Sequence, residues 1–509
     1  MFARIIRTTV LLAAALALAS PAMAREWAVL GPRALGMGGA GVAMANDAAA
    51  TYWNPAAYGF FARKPARDVE DDYRDDYGER DASAVGAFGF GAQVHADLGA
   101  QLNNLLKFDY NQFTGGTITA TNVPGFIGLL DGIKSFNDNK DRSLTIKLDG
   151  ATLFQGARYG GGGILLTEIS ARGDLDLVNV ATVPTGTTFT LADFTNPANY
   201  GCSPCTGGTF LSAADKTSLD TFLAGLGWTA AQRTDFINAM DNGLTQANAS
   251  GVSIPGNIVP MIKNVATLGN NAAGSGGSFA SNTSRLLFKG VAIAEVPLSF
   301  GVAISDSVSV GANLKFMRAR VYNTSIDVFN TDFTTALADA THDYADSSNF
   351  GLDLGLLYKL GNKLRVGVTA RNVNSPEFDM KRLLPGDSDK ISEEPQVRVG
   401  VAFKPAGYLT LALDYDVTEN DTTVSDTFKS QNIGGGVELD LLRILKLRAG
   451  AFANTAADDI GVVYTAGVGL GLWILNIDAG ASLSGDTTDI DGNTIPEEIK
   501  AEVAVSALF

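Results

Sequence analysis

Apolar and polar side chains alternate with a period of two along several stretches in the second half of this chain. From Leu409 to Val417, large apolar residues alternate with the polar or small residues Thr410, Ala412, Asp414 and Asp416. The stretches 363–371 and 396–404 repeat the pattern, so one face of each strand suits hydrocarbon and the other suits water. A soluble β-sandwich alternates in the same way, so the pattern predicts strands without placing them in a membrane.

The connections between these strands distinguish a membrane barrel from a soluble sandwich better than the alternation does, because tight turns alternate with longer loops. The turns lie at 305–306, 361–362, 405–407 and 442–443, and the longer connections at 323–346, 375–395, 420–429 and 485–497. Bacterial outer-membrane barrels have short periplasmic turns, long outer loops and an even number of strands. We therefore predict an all-β fold, a fourteen-stranded antiparallel transmembrane β-barrel, with strands at 83–98, 150–159, 161–177, 287–304, 307–322, 347–360, 363–374, 396–404, 408–419, 430–441, 444–455, 463–472, 474–484 and 498–509.

Three segments before the first strand do not alternate. Residues 1–24 carry two arginines, an apolar run and the small-residue site Ala22-Met23-Ala24, which is the pattern of a signal peptide. Residues 25–64 are rich in small residues and are predicted to plug the lumen, and residues 65–82 are acidic and predict a solvated linker. The barrel would then occupy 83–509. No later run of about 18 apolar residues predicts a membrane-spanning helix.

A long insertion, residues 178–286, separates the third and fourth predicted strands. Thr229-Ala230-Ala231-Gln232 is a capping box, and it opens a helix that carries Phe236, Ile237, Met240 and Leu244 on one face. The insertion also holds both cysteines, Cys202 and Cys205, for which we favour a loop-stapling disulfide over redox or metal chemistry. We predict a partly helical extracellular insertion, either a cap or a loop that enters the lumen.

The sequence offers little catalytic chemistry. It contains two histidines, of which His95 shares a predicted lumen face with Gln93 and Asp97; a polar lumen ladder explains this set better than an acid–base site. The stretch 489–494 begins like a calcium loop, but Thr494 stands where glycine is needed and Lys500 where a bidentate glutamate is needed. We therefore predict a protein that is not an enzyme, with no catalytic residue, metal or cofactor.

Composition narrows the choice of partners. Glycine supplies 57 of 509 residues, so the backbone bends or is closely approached at many points, and the formal net charge of -16 argues against nucleic acid as a partner. In the outer membrane of a Gram-negative bacterium, the expected partners are membrane lipids and lipopolysaccharide. Phe509 ends an alternating strand and resembles the signal that outer-membrane proteins present to the barrel-assembly machinery.

The N-terminal segment resembles a known superfamily. Pro32-Arg33-Ala34-Leu35-Gly36-Met37-Gly38-Gly39-Ala40-Gly41-Val42-Ala43, followed by Asn46-Asp47 and Tyr52-Trp53-Asn54-Pro55-Ala56-Ala57, is similar to the N-terminal signature of FadL-like outer-membrane barrels. That superfamily includes fatty-acid and aromatic-hydrocarbon channels and barrels named for the conjugal-transfer protein TraF. The stretches 372–376, 394–400 and 411–421 are most similar to the TraF-like branch.

This resemblance implies two candidate sites. Asn54, Pro55 and Ala56 would belong to a hatch that closes the barrel from the periplasm. In the channels, a kinked third strand opens the wall to the side, and Gly160, Gly161, Gly162 and Gly163 would permit such a kink unless they form an ordinary turn. The resemblance implies passive transport of hydrophobic small molecules; the alternative is a non-transporting interaction or assembly protein of conjugation or secretion. The ligand-binding residues stay unidentified, because the channels lack the insertion 178–286.

Overall fold

The computed structural model describes residues 25–61, 82–99, 118–179, 189–275, 283–327, 339–383, 388–425, 427–441, 444–472, 474–490 and 493–508. The predicted signal peptide 1–24, residues 65–81 of the acidic linker and Phe509 lie outside the described residues.

Within these residues, fourteen antiparallel strands pair in chain order and close into a barrel, because the first strand also pairs with the last. The predicted fold class is therefore confirmed. The strands are β1 (Ala82–Val94), β2 (Ser143–Gly156), β3 (Tyr159–Asp174), β4 (Arg285–Ala303), β5 (Val308–Asp327), β6 (Tyr344–Leu360), β7 (Leu364–Arg371), β8 (Gln396–Ala406), β9 (Leu409–Asp416), β10 (Asn432–Leu441), β11 (Leu445–Asn454), β12 (Val462–Leu472), β13 (Leu475–Ser484) and β14 (Glu498–Leu508).

Alternation gives each strand a lumen face and an exterior face. On β9, Leu411 and Leu413 are exposed on the exterior, whereas Thr410 and Asp414 are buried in the lumen. The sequence prediction was wrong about where β2 begins: the strand starts at Ser143 rather than at 150. The earlier start follows the same physics, because Leu144, Ile146 and Leu148 alternate with smaller or polar residues.

Strand length varies around the barrel. β2 to β6 contain 14 to 20 residues, whereas β7 to β14 contain 8 to 11. A strand needs about 9–11 residues to cross the hydrocarbon of a bilayer. β2 to β6, which we call the tall wall, are therefore longer than a bilayer requires. We call the two rims of the barrel the turn end, where the tight turns lie, and the loop end.

The helices belong to two groups. The N-terminal segment contains α1 (Pro32–Gly36), α2 (Ala50–Trp53), a 3-10 turn (Pro55–Ala57) and α3 (Tyr58–Phe61). At the loop end, the helical cap consists of α4 (Val123–Asp138), α5 (Leu191–Thr195), α6 (Ala213–Gly225), α7 (Ala230–Ala249) and α8 (Ile258–Ser275), with 3-10 turns at Ala120–Asn122 and Pro197–Tyr200. In the described part of the chain, no helix is both long and apolar enough to cross a membrane.

The cap has a hydrophobic core of its own, and two connections of the barrel build it. α4 comes from the β1–β2 connection, yet its Val123, Ile127 and Leu130 pack with Phe236 and Met240 of α7. The cap therefore includes residues outside the predicted insertion 178–286. The Thr229 side chain accepts a hydrogen bond from the backbone N–H of Gln232, so the predicted capping box is confirmed.

Asp176 holds the two ends of the insertion together. Its carboxylate accepts hydrogen bonds from the amides of Val178 and Asn179 at the start of the insertion and of Thr283 at its end. Burial alone would raise the pKa of this carboxyl, but the hydrogen bonds outweigh burial and lower the pKa to about 2. Asp176 therefore stays ionised, and the clamp stays intact, at any pH above about 4.

Two short hairpins from long connections at the loop end turn into the lumen. The apolar hairpin pairs Glu377–Asp379 with Lys390–Ser392, and the polar hairpin pairs Asn420–Asp421 with Lys429–Ser430. A third hairpin, Thr487–Ile490 with Asn493–Pro496, includes residues of the stretch 489–494 that begins like a calcium loop. Among the described residues, no three His, Cys, Asp or Glu side chains come together as metal ligands would.

Candidate functional site

Residues 25–61 lie inside the barrel and form the plug. Nearly all of their side chains are buried, and the largest fully buried ones include Trp27, Leu35, Tyr52 and Tyr58. The plug contains only short helices joined by irregular backbone, so many of its amide and carbonyl groups need partners outside its own helices. The barrel wall supplies a large share of these partners.

Asn54 fixes the plug at the predicted Asn54-Pro55-Ala56 sequence. Its carbonyl oxygen Oδ1 accepts a hydrogen bond from the Ala56 amide at 3.0 Å, which caps the 3-10 turn that Pro55 begins. Its Nδ2 donates to the carbonyl oxygens of Val42 at 3.2 Å and of Leu356 on β6 at 3.1 Å. An amide is required here, because a carboxylate cannot donate to two carbonyl groups.

Wall side chains satisfy further backbone groups of the plug. Asp414 accepts hydrogen bonds from the amides of Gly41 at 2.8 Å and Val42 at 2.9 Å. The Asn313 side chain donates to the carbonyl oxygen of Thr51 at 2.8 Å. Thr369 and Ser309 donate in the same way to other plug carbonyls. Side chains of the wall thus satisfy buried backbone groups of the plug that have no partner in a helix or a sheet. These hydrogen bonds give the irregular segment a defined position in the lumen.

A row of lumen-facing glycines, the glycine girdle, lets the plug backbone touch the wall. A Cβ atom at Gly311 would lie 2.3 Å from the Pro55 carbonyl carbon, and one at Gly434 would lie 2.0 Å from the Gly38 oxygen. Neighbouring strands place these glycines side by side, as in the pairs Gly301–Gly311, Gly311–Gly355, Gly436–Gly450 and Gly467–Gly480. The excess of glycine is visible in the sequence, but the girdle is not, because its members lie on different strands.

Charged groups of the plug and the wall hold the plug in place. Arg25 forms an ion pair with Glu393 at 2.8 Å, and Arg33 pairs with Glu438 at 2.8 Å. The guanidinium groups of Arg371 and Arg398 lie 5.6 and 4.7 Å from the centroid of the Trp27 ring. Both distances suit cation–π attraction, which is strong where water is excluded.

Lumen-facing charges pair across neighbouring strands. Arg398 on β8 meets Asp416 on β9 at 2.6 Å, and Arg448 on β11 meets Glu438 on β10 at 2.7 Å. This part of the lumen is therefore polar and self-neutralising rather than a site for an apolar ligand.

The lumen face of the tall wall carries an apolar strip beside its polar and charged residues. Its apolar strip consists of Ala151 and Leu153 on β2, Ile164 and Leu166 on β3, Val291 and Ile293 on β4, and Met317, Ala319 and Val321 on β5. Plug residues such as Tyr52 and Tyr58 belong to the cluster that covers the β2–β3 part. Phe378, Met380 and Ile391 of the apolar hairpin cover the β4–β5 part. Two elements outside the barrel strands therefore cover the apolar strip.

A small polar cavity of about 30 Å³ lies between the plug and the polar hairpin, which is room for about one water molecule. Glu26, Lys147 and Glu498 contribute to its lining, together with His95. His95 forms a 2.7 Å contact with Asp459 through Nδ1, and within the described residues its Nε2 has no hydrogen-bond partner. The cavity is far too small for a substrate, so these side chains form a packed polar layer of the lumen.

The four glycines 160–163 lie inside β3, and Ala157-Arg158 forms the turn instead. Pairing between β3 and β4 continues to Gly161–Leu298 and resumes at Ile164–Glu295, so Gly162 and Gly163 have no partner on β4. Gly162 has φ of +145°, which only glycine adopts easily, and Pro297 on β4 lacks the N–H that a ladder would use. The strand pairing is therefore interrupted at one place in the tall wall.

Cys202 and Cys205 form a disulfide in the cap, within the loop that precedes α6. Asp241 of α7 anchors the same loop, because its carboxylate accepts hydrogen bonds from the amides of Gly208 and Leu211 at 2.9 and 2.8 Å. Both features shape a surface loop of the cap and lie outside the lumen. Sequence spacing suggested the cysteine pair but gave no sign of Asp241, whose partners lie about 30 residues away.

The closed wall, the seated plug and the two inward hairpins define a plugged fourteen-stranded β-barrel. The chain belongs to the family described as "F plasmid transfer operon, TraF, protein", whose model matches residues 133–416, more than half of the chain. No curated protein sequence matches it.

Solved structures with a similar barrel include transporters of aromatic hydrocarbons. The toluene transporter TbuX of Ralstonia pickettii is 12% identical over 94% of this chain and 98% of that chain, with a TM-score of 0.44. The toluene transporter TodX of P. putida is 11% identical over 94% and 97%, with a TM-score of 0.42. A Pseudomonas aeruginosa FadL homologue is 10% identical over 96% and 99%, with a TM-score of 0.40.

Proposed function

We propose that this protein lies in the outer membrane of a Gram-negative bacterium and lets hydrophobic small molecules diffuse across it. Large apolar side chains are exposed on the barrel exterior, among them Leu314, Phe350, Leu413 and Val503. A continuous exposed apolar surface of this kind suits lipid rather than water. The closed barrel also pairs its backbone groups between neighbouring strands, which hydrocarbon requires.

The apolar strip on the tall wall carries the transport proposal. A polar pore would line its lumen with charged and hydroxyl side chains on all strands, whereas here Ile293, Met317 and Val321 face inward. Since these residues are covered by the apolar hairpin and not by another strand of the barrel, movement of the hairpin would expose an apolar surface at the loop end. The apolar strip would then offer a binding surface to a hydrophobic molecule that enters at the loop end.

The interruption between β3 and β4 is the proposed side outlet. Tyr159 and Leu298 are exposed on the exterior beside it, so a molecule that left there would meet lipid. The plug, as the proposed hatch, would keep the turn end closed to water while this occurs. Gly160, Gly161, Gly162 and Gly163 would serve the outlet by allowing the backbone of β3 to kink.

Locking the apolar hairpin to the wall tests the proposal. The Asp379 backbone amide donates to the Ser347 hydroxyl at 2.9 Å, so these two residues are neighbours, and we expect Ser347→Cys and Asp379→Cys to form a disulfide on oxidation. In proteoliposomes, we expect the oxidised double variant to lose uptake of labelled toluene and oleate, and the reductant to restore it. The two single variants, with and without reductant, control for the native disulfide of the cap.

Unchanged uptake in the locked protein would contradict a route beneath the apolar hairpin. No uptake by the unlocked protein, with the barrel correctly folded, would contradict hydrophobic transport altogether.

An interaction or assembly role is the second candidate, and the cap favours it. The cap has its own core and is clamped at its base by Asp176, so it resembles a module displayed on a membrane anchor. The family description also names a plasmid transfer operon. Retained conjugation or secretion in cells that carry the locked barrel, together with its loss when the cap is removed, would favour this candidate.

A further inference from the structure

Two arginines lie on the exterior of the tall wall, and they have no role in the proposed transport. Arg318 and Arg320 lie on β5 between Met317, Ala319 and Val321, which are fully buried in the lumen. Because side chains alternate across a strand, the two arginines point away from the lumen. Their side chains are 66% and 41% exposed.

The two arginines lie directly beyond the apolar, lipid-facing part of β5. On β5, Leu314 and Phe316 are exposed apolar residues, and the Phe316 ring packs edge-on against Phe350 of β6 with centroids 5.7 Å apart. Arg318 is the next exterior residue toward the loop end, about 7 Å further along the strand. Its neighbour on β6 is Ser348, and its neighbour on β4 is Ala294. The exterior of these strands thus changes from aromatic to cationic in one step.

The two guanidinium groups share a single carboxylate. Arg320 makes two hydrogen bonds to Asp346, at 2.9 and 3.0 Å, and its guanidinium lies 3.7 Å from the centroid of the Tyr344 ring. Arg318 has one long hydrogen bond to the same Asp346, at 3.3 Å. Asp346 therefore draws the two arginines together but neutralises only one of them. The small neighbours Ala294 and Ser348 leave room for a headgroup beside Arg318.

We propose that Arg318 and Arg320 bind a phosphate group of the phosphorylated glycolipid in the outer leaflet, the lipid A part of lipopolysaccharide. Guanidinium groups are well suited to phosphate, and a basic side chain at a membrane surface attracts anionic headgroups. The acyl chains of the same molecule would lie against Leu314, Phe316 and Phe350. This inference rests on the proposed location in the outer membrane, but it does not depend on transport.

Native mass spectrometry of the full mature barrel in detergent can test this site. The barrel is titrated with diphosphoryl lipid A, and heat-modifiable migration in gels verifies that each variant is folded. We expect Arg318→Ala to weaken lipid A binding about fivefold, the effect of one basic group near an anionic surface. Asp346→Asn removes the negative charge between the arginines and should strengthen binding. Arg382→Ala, an exposed arginine beside the apolar hairpin, is the matched control and should change nothing.

Two lipid comparisons identify the ligand. Monophosphoryl lipid A should bind more weakly than the diphosphoryl form, and the difference should shrink in Arg318→Ala. Equal binding of phosphatidylglycerol would overturn the assignment to the glycolipid. Unchanged binding by a folded Arg318→Ala variant, or an equal loss in Arg382→Ala, would overturn the site itself. None of these outcomes depends on uptake of toluene or oleate, so the site and the transport function can fail separately.

Discussion

At the scale of single residues, the glycines of the girdle are as important for seating the plug as the side chains that bind it, because glycine has no side chain. We expect Gly311→Ala to destabilise the barrel by about 1–3 kcal/mol, the usual cost of overpacking a filled interior. The reason is that its Cβ would lie 2.3 Å from backbone atoms of Pro55, which cannot move aside as a flexible side chain can. The unfolding temperature, followed by gel migration, measures the effect.

Gly150→Ala is the matched control, because a Cβ there would have no atom nearer than 3.9 Å. If the two variants unfold at the same temperature, the girdle does not seat the plug.

The residues of the site show how far sequence can predict. Asn54, Pro55 and Ala56 stand out through their resemblance to a known signature, and all three are buried. Their contacts could not be predicted, because Leu356 is 302 residues from Asn54 and is recognised through a backbone carbonyl that any residue has. The contact of Gly311 with Pro55 could not be predicted either, since a glycine in a strand does not indicate which segment packs against it.

At the scale of the element, the position of the bilayer on β6 can be tested with two substitutions on one face. Leu354 and Ser348 both face the exterior, but Leu354 lies in the apolar band and Ser348 beside Arg318. Leu354→Arg should cost about 2–4 kcal/mol and lower the yield of folded barrel, as a cation near the bilayer midplane does. Ser348→Arg should fold normally. Equal yields of the two variants would contradict a membrane-spanning β6.

The cap can be tested as one element built from two connections. Ile127 of α4 is fully buried in the cap core, so Ile127→Asp would bury an unpaired charge and should unfold the cap while the barrel stays closed. Limited proteolysis would then cut within 189–275, whereas the barrel would keep its folded migration. Ala224→Asp, at an exposed position of α6, should leave the cap resistant. Resistance of both variants would mean that α4 is dispensable for the cap.

The strands could be predicted from the sequence where their alternation is regular. The packing of the helices could not be predicted. The period of two gave the correct strand count and most boundaries, because each strand faces lipid on one side and a filled lumen on the other. The joint core of α4 and α7 depends on contacts over 100 residues apart, for which an amphipathic pattern names no partner.

At the scale of the whole molecule, the turn end and the loop end should face opposite sides of the membrane. Ala224 is exposed in the cap, and Asn362 lies in the β6–β7 turn. In intact cells, a membrane-impermeant maleimide should label Ala224→Cys and leave Asn362→Cys unlabelled until the membrane is opened. The reverse pattern would invert the proposed orientation.

The glycine girdle also constrains the order in which the molecule assembles. The plug rests in recesses on strands from β4 round to β13, on opposite sides of the lumen, so sliding it into a closed barrel would require the wall to expand. The N-terminal segment should therefore act as a template around which the strands wrap before β1 meets β14. A synthetic peptide of residues 26–60 should rescue a chain lacking them when present during refolding, and should fail when added to the closed barrel. Equal rescue at both times would show that the lumen admits its plug after closure.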